Sequence, residues 1–233
     1  MHLIPIGGLC NRLRTIFSHL EWCQQNGGEL LHVYWVPHVA CSVRFSSLFE
    51  IDGLEAAGIV LHDGELPPPS VGPVIQTCSV RAGAVEDVWG RRALTLLRPL
   101  PAIQSRIDEH LRLLGSEFIA LHIRRTDHNT NYDQDDVFAT FASSSSTNPV
   151  YAAADNPRSL ATLKRALGNR LHYNGRFGMA GMRLTAVADA VVDLWVCAQG
   201  AQFRGTYYSS FSDWIEMMRS LRGATPGDLS KIA

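Results

Sequence analysis

The sequence is poor in lysine and has no excess of positive charge. Lys164 and Lys231 are its only lysines, and the formal net charge is −1. This balance argues against nucleic acid or an anionic membrane as a partner. No apolar run approaches the ~20 residues that span a bilayer. Met1 and His2 lead directly into a predicted strand, without a secretory signal. We therefore expect a cytoplasmic protein with no membrane span.

Paired cysteines and metal-ligand spacings are also missing. The five cysteines are an odd number, and none belongs to a C-x-x-C pair, which argues against zinc fingers and a complete disulfide framework. Free thiols in a reducing compartment fit better. The histidines lack the H-x-x-x-H spacing of a metal-binding helix. The sequence therefore predicts no metal and no cofactor.

What the chain does have is a repeated alternation of strands and helices. Strands are predicted at 3–6, 30–36, 59–62, 74–78, 118–123, 150–154, 171–173 and 202–205, with helices following 7–8 and at 101–114, 157–167, 185–198 and from 210. We divide the chain into domains 1–115 and 116–233. Such alternation favours an α/β fold of two Rossmann-like domains with a cleft between them. A single doubly wound sheet is the competing architecture.

The chain opens with a strand, a glycine turn and a helix. Gly7 and Gly8 precede the helix that carries Asn11. A helix N-terminus after such a turn is a natural anion site, although the spacing of a dinucleotide fingerprint is absent. In the simplest interpretation, Arg12 and Arg14 are surface residues of this helix.

The fifth predicted strand runs directly into two arginines. Arg124 and Arg125 follow the apolar run 118–123, where a charge is costly unless an anion meets it. Ligands of open α/β sheets bind beyond the carboxyl ends of strands. A phosphate-bearing ligand is one interpretation, and a structural salt bridge to Asp127 or another carboxylate is the other. Arg125 points to the opposite face if the strand continues, which favours a structural role for it.

Polar residues follow three strands of the second half. They are His122 with Arg124, then Asp155 with Asn156, then the stretch 205–212 with its hydroxyls. The hydroxyls and N–H groups of a strand–turn–helix can cradle a diphosphate. A carboxylate suits the N1–H and amino group of guanine. Together the three strand ends describe a nucleotide-diphosphate site.

These segments resemble the motifs of the GDP-fucose-dependent fucosyltransferases, the superfamily of α-1,6-, nodulation and protein O-fucosyltransferases. Residues 122–127 read His-Ile-Arg-Arg-Thr-Asp, similar to H-x-R-R-x-D, and 150–157 are similar to V-Y-x-A-T-D-D-P. The stretches 193–198, 203–206 and 209–212 resemble the third motif, and 8–14 the glycine–asparagine turn. The resemblance spans nearly the whole chain.

The resemblance implies a GT-B fold and an inverting, metal-independent glycosyltransferase. The donor would be GDP-fucose, and the acceptor a glycan or another hydroxyl. The absence of a D-x-D motif in the first half agrees with this. A different donor, an unusual acceptor or a catalytically silent nucleotide- or glycan-binding protein are the alternatives.

The resemblance also implies roles for individual residues. Arg124 would bind the β-phosphate and stabilise the leaving GDP. The implied substrate contacts are His122 for the nucleotide, Asp155 for guanine, Thr206, Ser209, Ser210 and the Phe211 backbone for the diphosphate, and Gly8 and Asn11 for phosphate and sugar.

The sequence departs from the α-1,6 branch after the first motif. His128 replaces the usual lysine, and Tyr132 stands near the expected catalytic carboxylate. Asp133 is our first candidate for the general base, ahead of Asp135 and Asp136. All lie in the segment 128–149, which we predict to be a long polar loop with a functional role.

Overall fold

A computed structural model describes residues 1–125, 134–144, 147–174 and 186–222. The chain divides into two compact units, Pro101–Arg219 and Met1–Leu100 with the part of the chain from Ser220 on. The division falls after Leu100, whereas the sequence pattern placed the domain boundary after residue 115. The roles predicted for the two domains stay predictions.

The first unit contains a parallel four-stranded sheet. Its strands are β1 (His2–Pro5), β2 (Leu31–Trp35), β3 (Ile59–Asp63) and β4 (Val74–Thr77), in the order β3-β2-β1-β4. Leu3 pairs with Val33 across β1 and β2, and both are fully buried. Apolar residues on both faces of β2 suit a sheet covered on both sides.

Two helices complete the regular structure of this unit. They are α1 (Leu9–Gln25) and α2 (Glu86–Leu96). The α1 positions Leu13, Phe17 and Leu20 recur at helical spacing, and all are buried. The sequence pattern did not predict α2, which packs against α1 and buries only one narrow side.

The second unit repeats the same arrangement. Its elements are α3 (Pro101–Leu114), β5 (Ile119–Ile123), α4 (Asp135–Ala142), β6 (Val150–Ala154), α5 (Pro157–Leu167), β7 (Leu171–His172), α6 (Val187–Cys197), β8 (Gln202–Gly205) and α7 (Ser210–Arg222). The sheet is parallel, in the order β7-β6-β5-β8. Ile119, Leu121 and Ile123 face α4 and α5 in one apolar cluster.

The two sheets share one topology. In each, three strands progress in one direction, and the fourth returns to the other side of the first. Each sheet therefore has a topological switch point, between β1 and β4 and between β5 and β8, where ligands of such sheets bind. The predicted α/β fold with two parallel sheets is confirmed, and the single doubly wound sheet is wrong. The GT-B arrangement across a cleft stays a prediction.

The segment 128–149 is not a continuous loop. Helix α4 begins at Asp135, and Phe138 anchors it in the core with no exposed surface. In the sequence, α4 is a short amphipathic stretch between the polar residues 131–134 and the four serines 143–146. The sequence pattern therefore did not predict it as a helix.

Helix starts in the second unit follow the sequence in part. Asn156 caps α5 as predicted, because its side-chain oxygen accepts a hydrogen bond from Ser159 N at 2.9 Å. The N-cap of α6 is Ala186, and the predicted cap Thr185 lies outside the described residues. None of the helices in the described ranges is long and apolar enough to cross a membrane. None of the five cysteines, all of which lie in the described ranges, forms a disulfide bond.

Candidate functional site

The carboxyl ends of β5 and β8 are joined through Thr206. Its backbone N–H donates to His122 O at 2.9 Å, and its hydroxyl donates to the same oxygen at 3.1 Å. The hydroxyl also accepts from Arg124 N at 3.0 Å. A hydroxyl has one proton to donate. Thr206 therefore holds the strand ends together, and its predicted contact with the diphosphate stays a prediction.

His122 is held in place by two residues of α7. Its ring is 7% exposed and stacks on Phe211, with centroids 4.4 Å apart. Its Nδ1 lies 2.8 Å from Ser212 Oγ. The sequence analysis counted Ser212 among the hydroxyls of the stretch 205–212, but it did not predict the contact with His122, which lies 90 residues away.

The two arginines have separate environments. Arg125 donates to Asp135 Oδ1 from Nε and NH2, at 3.1 and 2.9 Å, and its guanidinium lies 5.6 Å from the ring centroid of Phe138. The structural interpretation therefore holds for Arg125, with Asp135 as its partner; Asp127 lies outside the described residues. Arg124 is partly exposed and stands two residues after His122, on the same face of the chain.

Asp155 follows β6 and is fixed by the end of β5. Its Oδ1 accepts a hydrogen bond from Arg125 N at 2.8 Å, and its own N–H donates to Ile123 O at 3.2 Å. The side chain is partly exposed. These bonds orient the carboxylate at the edge of the sheet, while the guanine contact stays a prediction.

The N-terminus of α7 has the least satisfied polar groups of this edge. Ser209 is 1% exposed, and its hydroxyl has no hydrogen-bond partner in the described ranges. The backbone N–H groups of Ser210, Phe211 and Ser212 likewise have no partner there, and the first bond of the helix runs from Asp213 N to Ser209 O at 2.9 Å. Free N–H groups at the positive end of a helix dipole attract anions.

Gly205 permits this helix to approach the sheet. A Cβ at this position would lie 2.5 Å from Ser212 Cβ, closer still to its Oγ, and 2.9 Å from the ring of Phe203. Those distances exclude any side chain without a shift of α7. The glycine thus brings Ser212 within reach of His122.

Two exposed tyrosines form the turn between β8 and α7. Tyr207 and Tyr208 have ring centroids 4.0 Å apart, and Tyr208 has a φ of +56°, which is uncommon for a bulky residue. A hydrogen bond with Tyr208 raises the pKa of the Tyr207 hydroxyl. The turn therefore presents aromatic surface directly before Ser209.

The switch point of the first unit contains the glycine turn. Gly7 has a φ of +85°, and a Cβ there would lie 3.1 Å from Asn11 Nδ2. Gly8 is the N-cap of α1 and accepts from Arg12 N at 3.0 Å. The side-chain oxygen of Asn11 is buried and has no hydrogen-bond partner among the described residues. It can accept a hydrogen bond from a ligand hydroxyl.

Arg12 is a buried part of this turn. It is 2% exposed, and it donates from Nε to Gly7 O at 3.0 Å and from NH1 to Val36 O at 2.8 Å. Its guanidinium also lies 4.9 Å from the ring centroid of Trp35. Burial lowers its pKa. The interpretation of Arg12 as a surface residue is wrong, and Arg14 is partly exposed.

The predicted residues fall into three groups. The edge of the second sheet and the start of α7 carry His122, Arg124, Asp155, Thr206, Ser209, Ser210 and Phe211. Gly8 and Asn11 belong to the first unit, and Asp133 lies outside the described residues. No group of three or more metal-ligating side chains occurs in the described ranges.

Comparison with known proteins shows a similarity of fold to solved structures. No family model matches the chain, and no curated protein matches it. Among solved structures, the NodZ α-1,6-fucosyltransferase soaked with GDP-fucose is 16% identical, covers 93% of this chain and 92% of its own, and has a TM-score of 0.70. For the NodZ fucosyltransferase from Bradyrhizobium the TM-score is 0.66, again at 16% identity and with 92% of each chain covered.

A second fucosyltransferase shows the same similarity. POFUT1 in complex with GDP is 14% identical, covers 96% of this chain and 95% of its own, and has a TM-score of 0.64. At these identities the similarity establishes a shared fold. The resemblance to GDP-fucose-dependent fucosyltransferases predicted from sequence motifs is thus confirmed at the level of the fold.

Proposed function

We propose that the protein is an inverting, metal-independent glycosyltransferase that moves L-fucose from GDP-fucose to a glycan or another hydroxyl acceptor. The observation that carries the proposal is the anion site at the start of α7. There, backbone N–H groups and the Ser209 hydroxyl, which have no partner among the described residues, lie at the switch point that Arg124 borders. The shared fold with fucosyltransferases crystallised with GDP-fucose or GDP supports it.

The order of the strands suggests how the donor lies. Asp155 follows β6, Arg124 follows β5, and Ser209 follows β8, in neighbouring positions of the sheet. Adjacent strands are ~4.8 Å apart, so the first and third positions are separated by roughly 10 Å. That distance suits an extended nucleoside diphosphate, with guanine at Asp155 and phosphates between Arg124 and α7. For Gly8 and Asn11, contacts with the phosphate and the sugar stay an expectation from the resemblance.

The proposed reaction is a direct displacement at the anomeric carbon. The acceptor oxygen forms the new bond while the bond from carbon to the β-phosphate oxygen breaks, and GDP leaves with the electron pair. Arg124 and the N–H groups of α7 offset the charge that develops on the leaving phosphate. The acceptor proton passes to a base, for which Asp133 remains our candidate.

Asp135 is a poor alternative base. Its Oδ1 accepts bonds from Arg125 and, at 3.0 Å, from the hydroxyl of Ser159. These bonds link Asp135 of α4 to Arg125 and to Ser159 of α5, so its carboxylate is already engaged in holding the fold together. This leaves Asp133 first among the three carboxylates considered.

A donor panel tests the proposal. Thermal shift and GDP release, measured with GDP-fucose, GDP-mannose, UDP-glucose and dTDP-rhamnose, should show stabilisation and slow hydrolysis with GDP-fucose. Stabilisation by another donor alone would refute the choice of GDP-fucose. Binding of GDP-fucose without turnover, in the presence of a glycan panel, would favour the catalytically silent alternative.

Arg124→Ala tests the catalytic assignment. We expect turnover to fall ~10²-fold or more, as for the loss of one donor to a developing charge. A melting curve of the variant checks that the fold is kept, since the bond from Arg124 N to Thr206 does not involve the removed side chain. Arg165→Ala, an exposed arginine of α5, is the matched control. Equal turnover in both variants would rule out the role of Arg124.

A further inference from the structure

Ser212 has a single hydrogen-bond partner among the described residues, the Nδ1 atom of His122 at 2.8 Å. Ser212 is 4% exposed, so its hydroxyl is shielded from bulk solvent. In this bond, either the Ser212 hydroxyl or His122 Nδ1 is the donor, and the other atom is the acceptor.

The serine hydroxyl is the donor in the arrangement that satisfies both groups. If His122 carried a proton on Nδ1, Ser212 Oγ would accept it, and the hydroxyl proton would have no acceptor in the described surroundings. Folded proteins rarely leave a buried donor unpaired. If Ser212 donates, both atoms are satisfied by one bond, and the neutral imidazole carries its proton on Nε2.

We infer that Ser212 is a positioning residue that fixes His122 in the Nε2–H tautomer, so that the ring presents a hydrogen-bond donor to an oxygen of the nucleotide. The ligand part of this inference rests on the proposed function, and the tautomer part does not. A ring that can only donate selects an acceptor oxygen, either a phosphate or a guanine carbonyl oxygen, and disfavours an amino group.

The surrounding residues prevent this pair from rearranging. The Phe211 ring stacks on the imidazole at 4.4 Å and 24°, which fixes the ring plane. Gly205 lacks the Cβ that would displace Ser212. Gly205 and Phe211, which constrain the pair, belong to the same strand–turn–helix segment that contains the anion site.

His19 provides an internal reference of opposite tautomer. Its Nδ1 lies 2.7 Å from Thr15 O, and a carbonyl oxygen can only accept. Burial lowers the pKa of His19, so its ring is neutral at pH 7. His19 must therefore carry its proton on Nδ1, whereas His122 is expected to carry it on Nε2.

The test is long-range ¹H–¹⁵N NMR of the full chain labelled with ¹⁵N-histidine, with His122→Gln and His19→Gln for assignment. The expected result is an Nε2–H signal for His122 and an Nδ1–H signal for His19. In Ser212→Ala the His122 preference should be lost while His19 is unchanged. An Nδ1–H signal for His122 in the unmodified protein would overturn the inference. So would an Nε2–H signal for His122 that is unchanged in Ser212→Ala. The spectrum of the unmodified protein decides even if the variant fails to fold.

Three probes separate the sources of the acceptor oxygen. GDP should shift the His122 Nε2 signal, and Ser212→Ala should bind GDP about 3- to 10-fold more weakly, as for one lost neutral hydrogen bond. A shift with pyrophosphate identifies a phosphate oxygen, and a shift with guanosine alone identifies the base. If none of the three probes shifts the His122 Nε2 signal, the inferred hydrogen bond from His122 to the nucleotide is wrong. The proposed function is tested separately, by turnover of GDP-fucose by the unmodified enzyme.

Discussion

The two switch points share one sheet order but use their arginines differently. In the first unit, Arg12 is buried one turn into the helix and donates to the carbonyls of Gly7 and Val36. In the second, Arg124 stands directly after the strand and is partly exposed. The arginine inside the turn holds the fold together, whereas ligand binding by the arginine at the strand end stays a prediction. The two arginines thus differ in their position within the same topology and not in residue type.

The helix starts differ in the same way. At α1, Gly8 offers no side chain to the N-terminus. At α7, Ser209 adds a buried hydroxyl without a partner among the described residues. The second switch point thus combines a dipole, a hydroxyl and a strand-end arginine, and we expect it to bind the diphosphate.

The largest effect that we expect concerns the buried carboxyl group of Asp193 in the second unit. It accepts a hydrogen bond from the Tyr151 hydroxyl at 2.7 Å, and burial raises its pKa to about 7. The ordinary value is 3.8, so between these values the folded state keeps a proton that the unfolded state has lost. Stability should therefore fall as pH rises from 4 to 7, by up to ~4 kcal/mol.

Asp193→Asn removes the titrating group and should flatten this dependence. Denaturant unfolding at several pH values between 4 and 8 measures it, with Tyr151→Phe as a variant that keeps the carboxyl. If the unmodified protein and Asp193→Asn lose stability equally over this range, ionisation of Asp193 does not destabilise the second unit.

Arg12→Met should destabilise the protein by about 3 kcal/mol, because it leaves the partly buried carbonyl groups of Gly7 and Val36 without their charged donor. Urea unfolding measures this loss, and Arg165→Met at an exposed helix position is the control. The affinity of the folded variant for GDP should change little. A loss of GDP affinity with no loss of stability would mean that Arg12 acts in ligand binding, as predicted for Arg124, and not in the fold.

Gly205→Ala should cost about 2 kcal/mol, because the added Cβ overlaps Ser212 and α7 must move. GDP affinity should fall with it. Gly72→Ala is a matched control, since a Cβ at Gly72 meets nothing within 4 Å. Equal stability of the two variants would mean that the approach of α7 to β8 is not tight.

Ser209→Ala should have the smallest effect, a loss of about 3- to 10-fold in GDP affinity for one hydrogen bond. Stability should be unchanged, because the hydroxyl has no partner within the described part of the chain. Isothermal titration with GDP measures the affinity, and Ser143→Ala, at the exposed C-terminal cap of α4, is the control. A drop in stability without a drop in affinity would assign the hydroxyl to the fold.

The sequence predicted what depends on neighbours along the chain. The strand end before Arg124, the Asn156 cap and the alternation of strands and helices are local patterns. Side-chain contacts between segments that are distant in sequence could not be predicted from it. Arg12 is buried because Val36 and Trp35 of another strand meet it, and Ser212 acquires its role from His122, far away in sequence. Helix α4 was missed because its apolar face is short.

The most direct test of the central claim is a GDP titration followed through backbone amide signals of the ¹⁵N-labelled protein. The N–H groups of Ser210, Phe211 and Ser212 should show the largest changes and move together, with one dissociation constant. Saturable GDP binding that leaves these three amides unshifted would contradict the assignment of the nucleotide site to the second switch point.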